Sequence, residues 1–380
     1  MLIPNNVQET KMFEYAGASR FAYNWALARE KENYEKGGRF ISDSELRKEF
    51  TKLRHSDEYA WLLNISNNVT KQAIKDACNA YKNFFKGLKK IPRFKSRKRS
   101  MPKFYQDNVK IQFSNTHVKL EGFSSSRKAN KQKLNWVRLA EHGRISTDAK
   151  YMNPRISFDG LNWWISVCVE FPDCKEILND DGVGIDLGIK DLAVCSDAVK
   201  YKNINKSQKV KKLEKQKRRL QRSISRSYEK NKKGESYCKT NNVIKKEKLL
   251  LKRNHRLTNI RKNYLNQTIS EIVNRKPRFI CIEDLNVSGM MKNRHLSKVV
   301  QEQGFFLFRK QLEYKCSDKG IQLIVADRFY PSSKLCSCCG KIKEDLKLSD
   351  RIYRCECGNM IDRDFQASIN LKAYGERFAS

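Results

Sequence analysis

The sequence predicts a multidomain α/β protein, and three observations carry that reading. The apolar period changes from helical to alternating near residue 108. The second half then sets short apolar strands against long helices. A cysteine-dense stretch interrupts that pattern just before a final helix. With 380 residues the chain has room for two or three domains and a sizeable core.

From the start, residues 10–35 read as a helix, with Phe13, Ala16, Phe21, Trp25 and Leu27 near helical spacing. Gly37 and Gly38 break it, and Asp43 is a plausible cap for a helix over 43–54. A further helix over 64–88 begins around Ser66 and carries Val69, Ala73, Ile74, Ala77, Tyr81, Phe84 and Phe85. The basic stretch KGLKKIPRFKSRKRSMPKFY follows, mixing Lys and Arg with Phe94, Phe104 and Tyr105. Such a mixture suits phosphates and stacked bases, and equally suits a solvated loop whose aromatics fill the core. Residues 108–171 hold the runs VKIQF, HVKLEG, KLNWVRL, PRISFDG and NWWISVCVEF, which predict a β-rich segment and a small barrel. Asp159-Gly160 marks a hairpin turn within it.

A new unit opens at residue 182. GVGIDLGIKDLAVCSD reads as two strands joined at Gly188, with AVKYKNI as a third. Lys206–Ile272 is intensely basic and mostly helical, with a polar linker at 231–242. Leu249, Leu250, Leu257, Ile260, Tyr264, Leu265 and Ile269 form the apolar stripe of its second helix. RFICIEDLNV is a buried strand, FFLFRKQLEYKCSDKG a helix ending at Gly320, and IQLIVADRF another strand.

Charge narrows the partners. Lys and Arg number 78 against 42 Asp and Glu, a formal net charge of +36. A surplus that large repels itself unless a polyanion neutralises it, and nucleic acid is the natural candidate. A membrane partner is not expected, because the sequence offers no spanning apolar run or amphipathic anchor. The first residues lack the pattern of a signal peptide. No disulfide framework is expected; cysteines such as Cys78, Cys168, Cys195, Cys238 and Cys281 stand singly, and several lie in apolar strand-like runs, such as Cys281 in FICIED, and read as buried thiols.

The stretch SSKLCSCCGKIKEDLKLSDRIYRCECGN holds five of the twelve cysteines. Cys336, Cys339, Cys355 and Cys357 form two close pairs, the pattern of a four-thiolate structural Zn²⁺ site. Gly340 and Gly358 after the pairs allow the tight turns such knuckles need. Cys338 is the alternative partner in the first pair.

Three carboxylates stand where a carboxylate is expensive. Asp186 lies in the apolar strand VGIDLG, Glu283 ends FICIEDL, and Asp364 opens the helix DFQASINLKAY. Buried acids need a cation or donors. Brought together, these three would make a hard-oxygen site for Mg²⁺, and two such ions support phosphodiester cleavage. Taken singly, each reads as a turn residue or cap, and Asp364 could simply cap its helix. Asp191, Asp284 and Asp362 read as turn, cap or surface residues, Asp362 being the most ambiguous.

With these motifs in place, the chain resembles the TnpB (OrfB) proteins of bacterial insertion sequences, which are related to compact type V CRISPR effectors. VGIDLGIKDLAV, ICIEDLNVSGM, the knuckle pair with SSKLC, and IDRDFQASINL carry the likeness in the family's order. RFAYNWAL, TKQAIKDACNAYKNFFKG and IPRFKSRKR extend it into the N-terminal half. The resemblance implies an RNase H-like (RuvC-type) nuclease domain with a zinc-ribbon insertion, and an N-terminal β-barrel wedge domain with a helical recognition insert. It divides the chain into wedge start 1–10, helical recognition 11–105, wedge 106–180, nuclease 181–330, zinc ribbon 331–360 and nuclease end 361–380.

It implies Asp186, Glu283 and Asp364 as the catalytic triad on two Mg²⁺ ions, with guide RNA and double-stranded target DNA as partners. It also points to Lys71, Gln72 and Lys75 as contacts beside the target, with Arg93, Lys95 and Arg97 as further nucleic-acid contacts. The cytoplasm and its nucleoid are the implied location. Relatives usually carry a further strand before LIPNNVQ, and Gln366 stands where Asn is usual. A nuclease-inactive RNA-guided repressor and a guide-free transposase are the alternatives on the same fold.

Overall fold

A computed structural model of the chain describes residues 1–123, 134–170, 176–347 and 349–379. The chain divides into two units, Met1–Phe171 and Pro172–Ser380. Lys133 and Phe171, the outer ends of two predicted strand runs, lie outside the described residues.

The first unit opens with strand β1 (Leu2–Ile3) and helix α1 (Asn6–Glu35), followed by α2 (Asp43–Arg54) and α3 (Asn67–Phe85). Asn5 and Gln8 cap α1 reciprocally, which fixes its start. The cap of α2 is Ser42, boxed with Glu45, rather than Asp43, which is the first helical residue and pairs with Arg47 at 2.9 Å. The third helix starts at Ser66 as predicted, and the Ser66 side chain caps it. The buried stripe of α1 runs through Met12, Tyr15, Ala22 and Ala26, while Phe13 stays 41% exposed. Of the five residues at helical spacing, Ala16 and Leu27 are buried and Phe21 and Trp25 pack against the core, so Phe13 is the departure, and small alanines let α1 and α3 approach closely.

Strands β2 (Lys103–Tyr105), β3 (Gln112–Phe113), β4 (His117–Lys119), β5 (Trp136–Leu139), β6 (Tyr151–Phe158) and β7 (Trp163–Val169) join β1 in a seven-stranded antiparallel sheet. Its order is β2-β6-β7-β1-β5-β4-β3, so Leu2–Ile3 sits in the middle of the sheet. Among the described residues its end strands β2 and β3 are not paired with each other. Asp159 closes the β6–β7 turn by accepting from the N–H groups of Leu161 and Asn162.

The second unit holds β8 (Val183–Leu187), β9 (Asp191–Cys195), β10 (Lys200–Lys202) and the long helices α4 (Gln208–Lys230) and α5 (Asn241–Asn274). A small hairpin of β11 (Lys232–Lys233) and β12 (Ser236–Tyr237) joins those helices. Then come β13 (Phe279–Glu283), α6 (Val287–Lys292), α7 (Ser297–Gln303), α8 (Phe305–Lys319), β14 (Gln322–Ala326), β15 (Ile352–Arg354), β16 (Met360–Asp362) and α9 (Arg363–Phe378). α6 and α7 are too short to leave a periodic signal in the sequence.

The main sheet has the order β10-β9-β8-β13-β14. Its first three strands are antiparallel and its last two run parallel to β8. α5 and α8 share one core with Ile185, Ile280 and Ile282. α9 covers the other face over Phe279 and Cys281. Only the second half of the predicted α5 stripe enters this core: Leu265 and Ile269 are buried but Leu249 is 44% exposed. Among the single cysteines, Cys78, Cys195, Cys281 and Cys316 are buried, whereas Cys168, although it lies in a strand-like run, and Cys238 are exposed. Among the described residues no helix is long and apolar enough to cross a membrane.

Candidate active site and metal centre

The strand period places the carboxylates. Along β8, Val183, Ile185 and Leu187 face the α5 and α8 core, so Gly184 and Asp186 point to the α9 side. Along β13, Ile280 and Ile282 face the same core, which turns Phe279, Cys281 and Glu283 towards α9. The strands pair with Cys281 beside Gly184 and Ile282 beside Ile185, so the next residues on each are Glu283 and Asp186.

Two glycines let α9 lie directly on these strands. A Cβ on Gly184 would stand 2.1 Å from the Ser368 carbonyl oxygen and 2.3 Å from the Lys372 nitrogen. A Cβ on Gly375 would stand 2.3 Å from the Phe279 ring. The helix therefore runs back along the strands, and its first turn brings Asp364 to their acidic ends. Asp362, the ambiguous neighbour, caps α9 by accepting from the Phe365 N–H at 3.1 Å, and it pairs with Lys200 at 3.4 Å.

The electrostatics of the three acids register their proximity. Burial, then the charges of Glu283 and Asp364, push Asp186 well above the usual carboxylate range. Burial also raises Glu283, against the Ser332 hydroxyl that donates to it at 2.5 Å and together with the charge of Asp364. Arg363 lies 3.5 Å from Asp364, and its charge only partly opposes the rise at Asp186. Like-charged oxygens in a poorly solvated cleft are stable only when protonated or bridged by a cation. A set of carboxylate oxygens fits a hard divalent ion such as Mg²⁺.

Around the acids lies a second layer of partners far apart in the chain. Asp284 binds Arg309 at 2.7 Å and Arg328 at 2.5 Å. Both arginines line a cavity of 350 Å³ together with Glu283 and Phe306. Asn370 donates to the carbonyls of Ser332 and Leu335, both at 2.7 Å. Gln366, fully buried, donates to the Leu335 carbonyl at 2.6 Å and accepts from Ser337 at 2.9 Å. One face of α9 thus fixes both the acids and the approach to the cysteine knuckles. Nothing in the sequence marks Ser332 or the Asp284 pairs, because single polar residues in loops are common.

The four cysteines come together tightly. Sγ–Sγ separations are 3.6 Å for Cys336–Cys357 and 3.5 Å for Cys339–Cys355, and all four sulfurs lie within 4.8 Å of one another. A tetrahedron of ~2.3 Å Zn–S bonds has edges of ~3.8 Å, so the donors fit zinc. Among the described residues this is the one group of three or more His, Cys, Asp or Glu gathered that closely; the three carboxylates are not drawn together to the same degree. Gly340 and Gly358 take positive φ, 72° and 90°, as the knuckle turns require. Burial opposes the Cys336 thiolate, but donors from the Cys339 and Cys338 backbone and Asn359 outweigh it and bring that thiol down to about 6. Cys338 is exposed and stands outside the cluster.

The predicted nucleic-acid contacts scatter within the first unit. Lys71 and Lys75 are exposed one turn apart on α3. Gln72 instead donates to Asp76 at 2.9 Å, and Asp76 holds Arg155 through two bonds of 2.6 and 3.0 Å. Lys95 lies over the Tyr23 ring at 3.1 Å, and its backbone is tied to Asn24. Burial, with Lys103 nearby, lowers its pKa to about 8. Arg93 lines one cavity and Arg97 another, the latter of 830 Å³ with Arg20, Lys98 and Arg99.

Fold and site together describe an α/β protein with a half-buried carboxylate group and a four-cysteine knuckle, and the chain is similar to the following known proteins. Residues 166–294 match the OrfB_IS605 family described as a probable transposase, residues 305–371 a Cas12f1-like TNB domain, and residues 1–39 a helix-turn-helix domain of the same OrfB group. "Putative RNA-guided DNA endonuclease InsQ" of Escherichia coli strain K12 is 30% identical, over 98% of this chain and 90% of its own. A "Putative RNA-guided DNA endonuclease" of Streptomyces pristinaespiralis is 29% identical over 98% and 87%. A Cas12f1 in a cryo-EM complex with sgRNA and target DNA shares the fold, with a TM-score of 0.62 and 12% identity over 95% of this chain and 81% of that one. The chain belongs to the TnpB (OrfB) family.

Proposed function

We propose that the protein is an RNA-guided, metal-dependent DNA endonuclease encoded by an insertion sequence. It cuts phosphodiester bonds with Asp186, Glu283 and Asp364 and acts in the cytoplasm on the nucleoid. The observation that carries the reading is the meeting of three carboxylates from β8, β13 and α9 on one face of the sheet. The sheet order, with three antiparallel strands followed by two parallel ones, supports an RNase H-like (RuvC-type) domain. The names and partners of the relatives support guide RNA and double-stranded target DNA. The seven-stranded sheet serves as the wedge domain, with α1–α3 as its recognition helices, and residues 331–360 as the zinc ribbon.

Asp186, Glu283 and Asp364 would hold two Mg²⁺ ions, which supply an activated water and a stabilised leaving oxygen. Ser332 orients Glu283 by its short hydrogen bond. Gln366 and Asn370 fix the start of α9, and with it Asp364, against the zinc-bearing loop. Cys336, Cys339, Cys355 and Cys357 would hold Zn²⁺ as a structural ion.

The test is cleavage of a guide-matched duplex by Asp186→Ala and Glu283→Ala. Each should lose strand scission by at least about a thousand-fold, as expected when several kcal/mol of metal-derived stabilisation is removed, while retaining guide and target in a gel shift. Undiminished cutting by either variant would remove these residues from the chemistry. Cleavage that survives exhaustive RNase treatment would instead favour a guide-free transposase.

A further inference from the structure

The first unit holds a feature that strand cleavage does not use. A pocket of 540 Å³ lies among the C-terminal halves of α1 and α3, residues 38–40 and the segment 91–94. Tyr34, Phe40, Phe85 and Phe94 border it and remain 70%, 36%, 55% and 57% exposed. Aromatic surface left open in one patch marks a binding surface. Glu30 also lines the pocket, and it is only 4% exposed. Its Oε2 accepts from the Ile41 N–H at 3.3 Å. Its Oε1 is buried without any hydrogen-bond partner. A native structure rarely leaves such an acceptor unsatisfied.

An occupant must therefore present a flat apolar face to the rings and N–H donors to Glu30. It must also suit a rim that carries Arg93 and a Lys31–Glu35 pair of 3.5 Å. The segment Lys86–Arg99 carries eight Lys and Arg and no acid. Arg93 of that segment lines the pocket, and Lys82 stands over the Phe40 ring at 5.5 Å. A nucleotide meets all three demands, with its base against the aromatics and its phosphate among the cations. Among the bases, the Watson–Crick edge of guanine alone sets two N–H donors side by side, which complements a carboxylate. Adenine and cytosine set a donor beside an acceptor, and uracil sets one donor between two carbonyls.

We propose that this pocket holds an unstacked guanine of a single-stranded nucleic acid, with Glu30 reading its edge and Phe85 its face. That the guanine belongs to the guide RNA rests on the proposed function; the chemistry of the pocket does not.

The full chain, freed of co-purifying RNA, is titrated calorimetrically with 5′-GMP and 5′-UMP in the absence of DNA. GMP should bind roughly ten-fold more tightly than UMP, the ratio expected for one well-made charged hydrogen-bond pair. Glu30→Gln should erase that ratio, and Phe85→Ala, at an exposed position, should weaken both nucleotides. Should Glu30→Gln fail to fold, the wild-type ratio and Phe85→Ala still decide. Equal affinities, no saturable GMP binding, or binding indifferent to Phe85→Ala would overturn the proposal. So would self-association abolished by Phe85→Ala, because the patch would then be covered by a second copy of the chain. The titration involves no cleavage, so its failure leaves the carboxylate reading standing, and inactive Asp186 variants leave the pocket untouched.

Discussion

At the scale of single residues, the protonation of Asp186 ties stability to pH. Its pKa is raised above the ordinary 3.8 by burial and by two neighbouring acids. An acid that holds its proton more tightly when folded contributes most below its unfolded pKa, and that contribution is lost as pH rises through the folded value. The ion-free protein should therefore melt lower than Asp186→Asn at neutral pH. The gap should close as pH falls towards about 4, and Mg²⁺ should raise the wild-type melting temperature but not that of the variant. Differential scanning calorimetry across pH reads all three. Cys336→Ser belongs to the same scale: it should release zinc, measured by a colorimetric chelator, and lower the melting temperature of the second unit, because metal-binding energy at such a site is folding energy. Asp186 and Glu283 stand out in the sequence because an acid inside an apolar strand needs a reason. Ser332 and the Arg309–Asp284–Arg328 chain do not, since their partners come from distant loops and helices. Lys95 illustrates the converse: a basic residue in a basic run turns out to sit on a ring inside the first unit.

At the scale of elements, the packing of α9 on β8 decides whether Asp364 reaches the other acids. Gly184 has no room for a Cβ against the Ser368 carbonyl and the Lys372 nitrogen, both backbone atoms that cannot swing aside. Gly184→Ala should destabilise the second unit by about 1–3 kcal/mol or more. It should also cut cleavage well beyond what the loss of folded protein explains, because the helix must shift to accommodate the methyl group. Parallel urea melts and cleavage assays separate the two effects. Most helices and strands are legible from period and caps, including Ser66 before α3 and Gly320 after α8. The exposed members of the predicted faces, Phe13 on α1 and Leu249 on α5, share a cause. A helix pattern identifies apolar residues, but which of them meet a neighbour depends on where small residues permit close approach and on how much of a long helix the sheet can cover.

At the scale of the whole molecule, charge governs association. On α4, Lys211, Lys215, Arg218, Arg219 and Arg222 line a cavity of 560 Å³, while Arg261 neutralises Glu214 at 3.1 Å and Glu302 at 3.2 Å. With a net charge of +36 behind it, nucleic-acid binding should weaken about 10³- to 10⁵-fold between 50 and 200 mM salt if six to ten phosphates are bound. Replacing Arg218, Arg219 and Arg222 with Ala should flatten the log–log salt slope by about one unit for each phosphate no longer neutralised. A salt titration by fluorescence anisotropy measures it. The sequence by itself determined the polyanionic partner, the alternation of strands and helices, the four thiolates and the family, because composition, period and short-range spacing are local properties of a chain. Only the tertiary structure decided that acids from β13 and α9 lie near enough to raise Asp186 on β8, that Gln366 couples the knuckle to the helix bearing Asp364, and that Glu30 is left with an unmatched oxygen among aromatic rings. Each depends on which distant residues pack together, and strand register and helix placement settle that where spacing along the chain cannot.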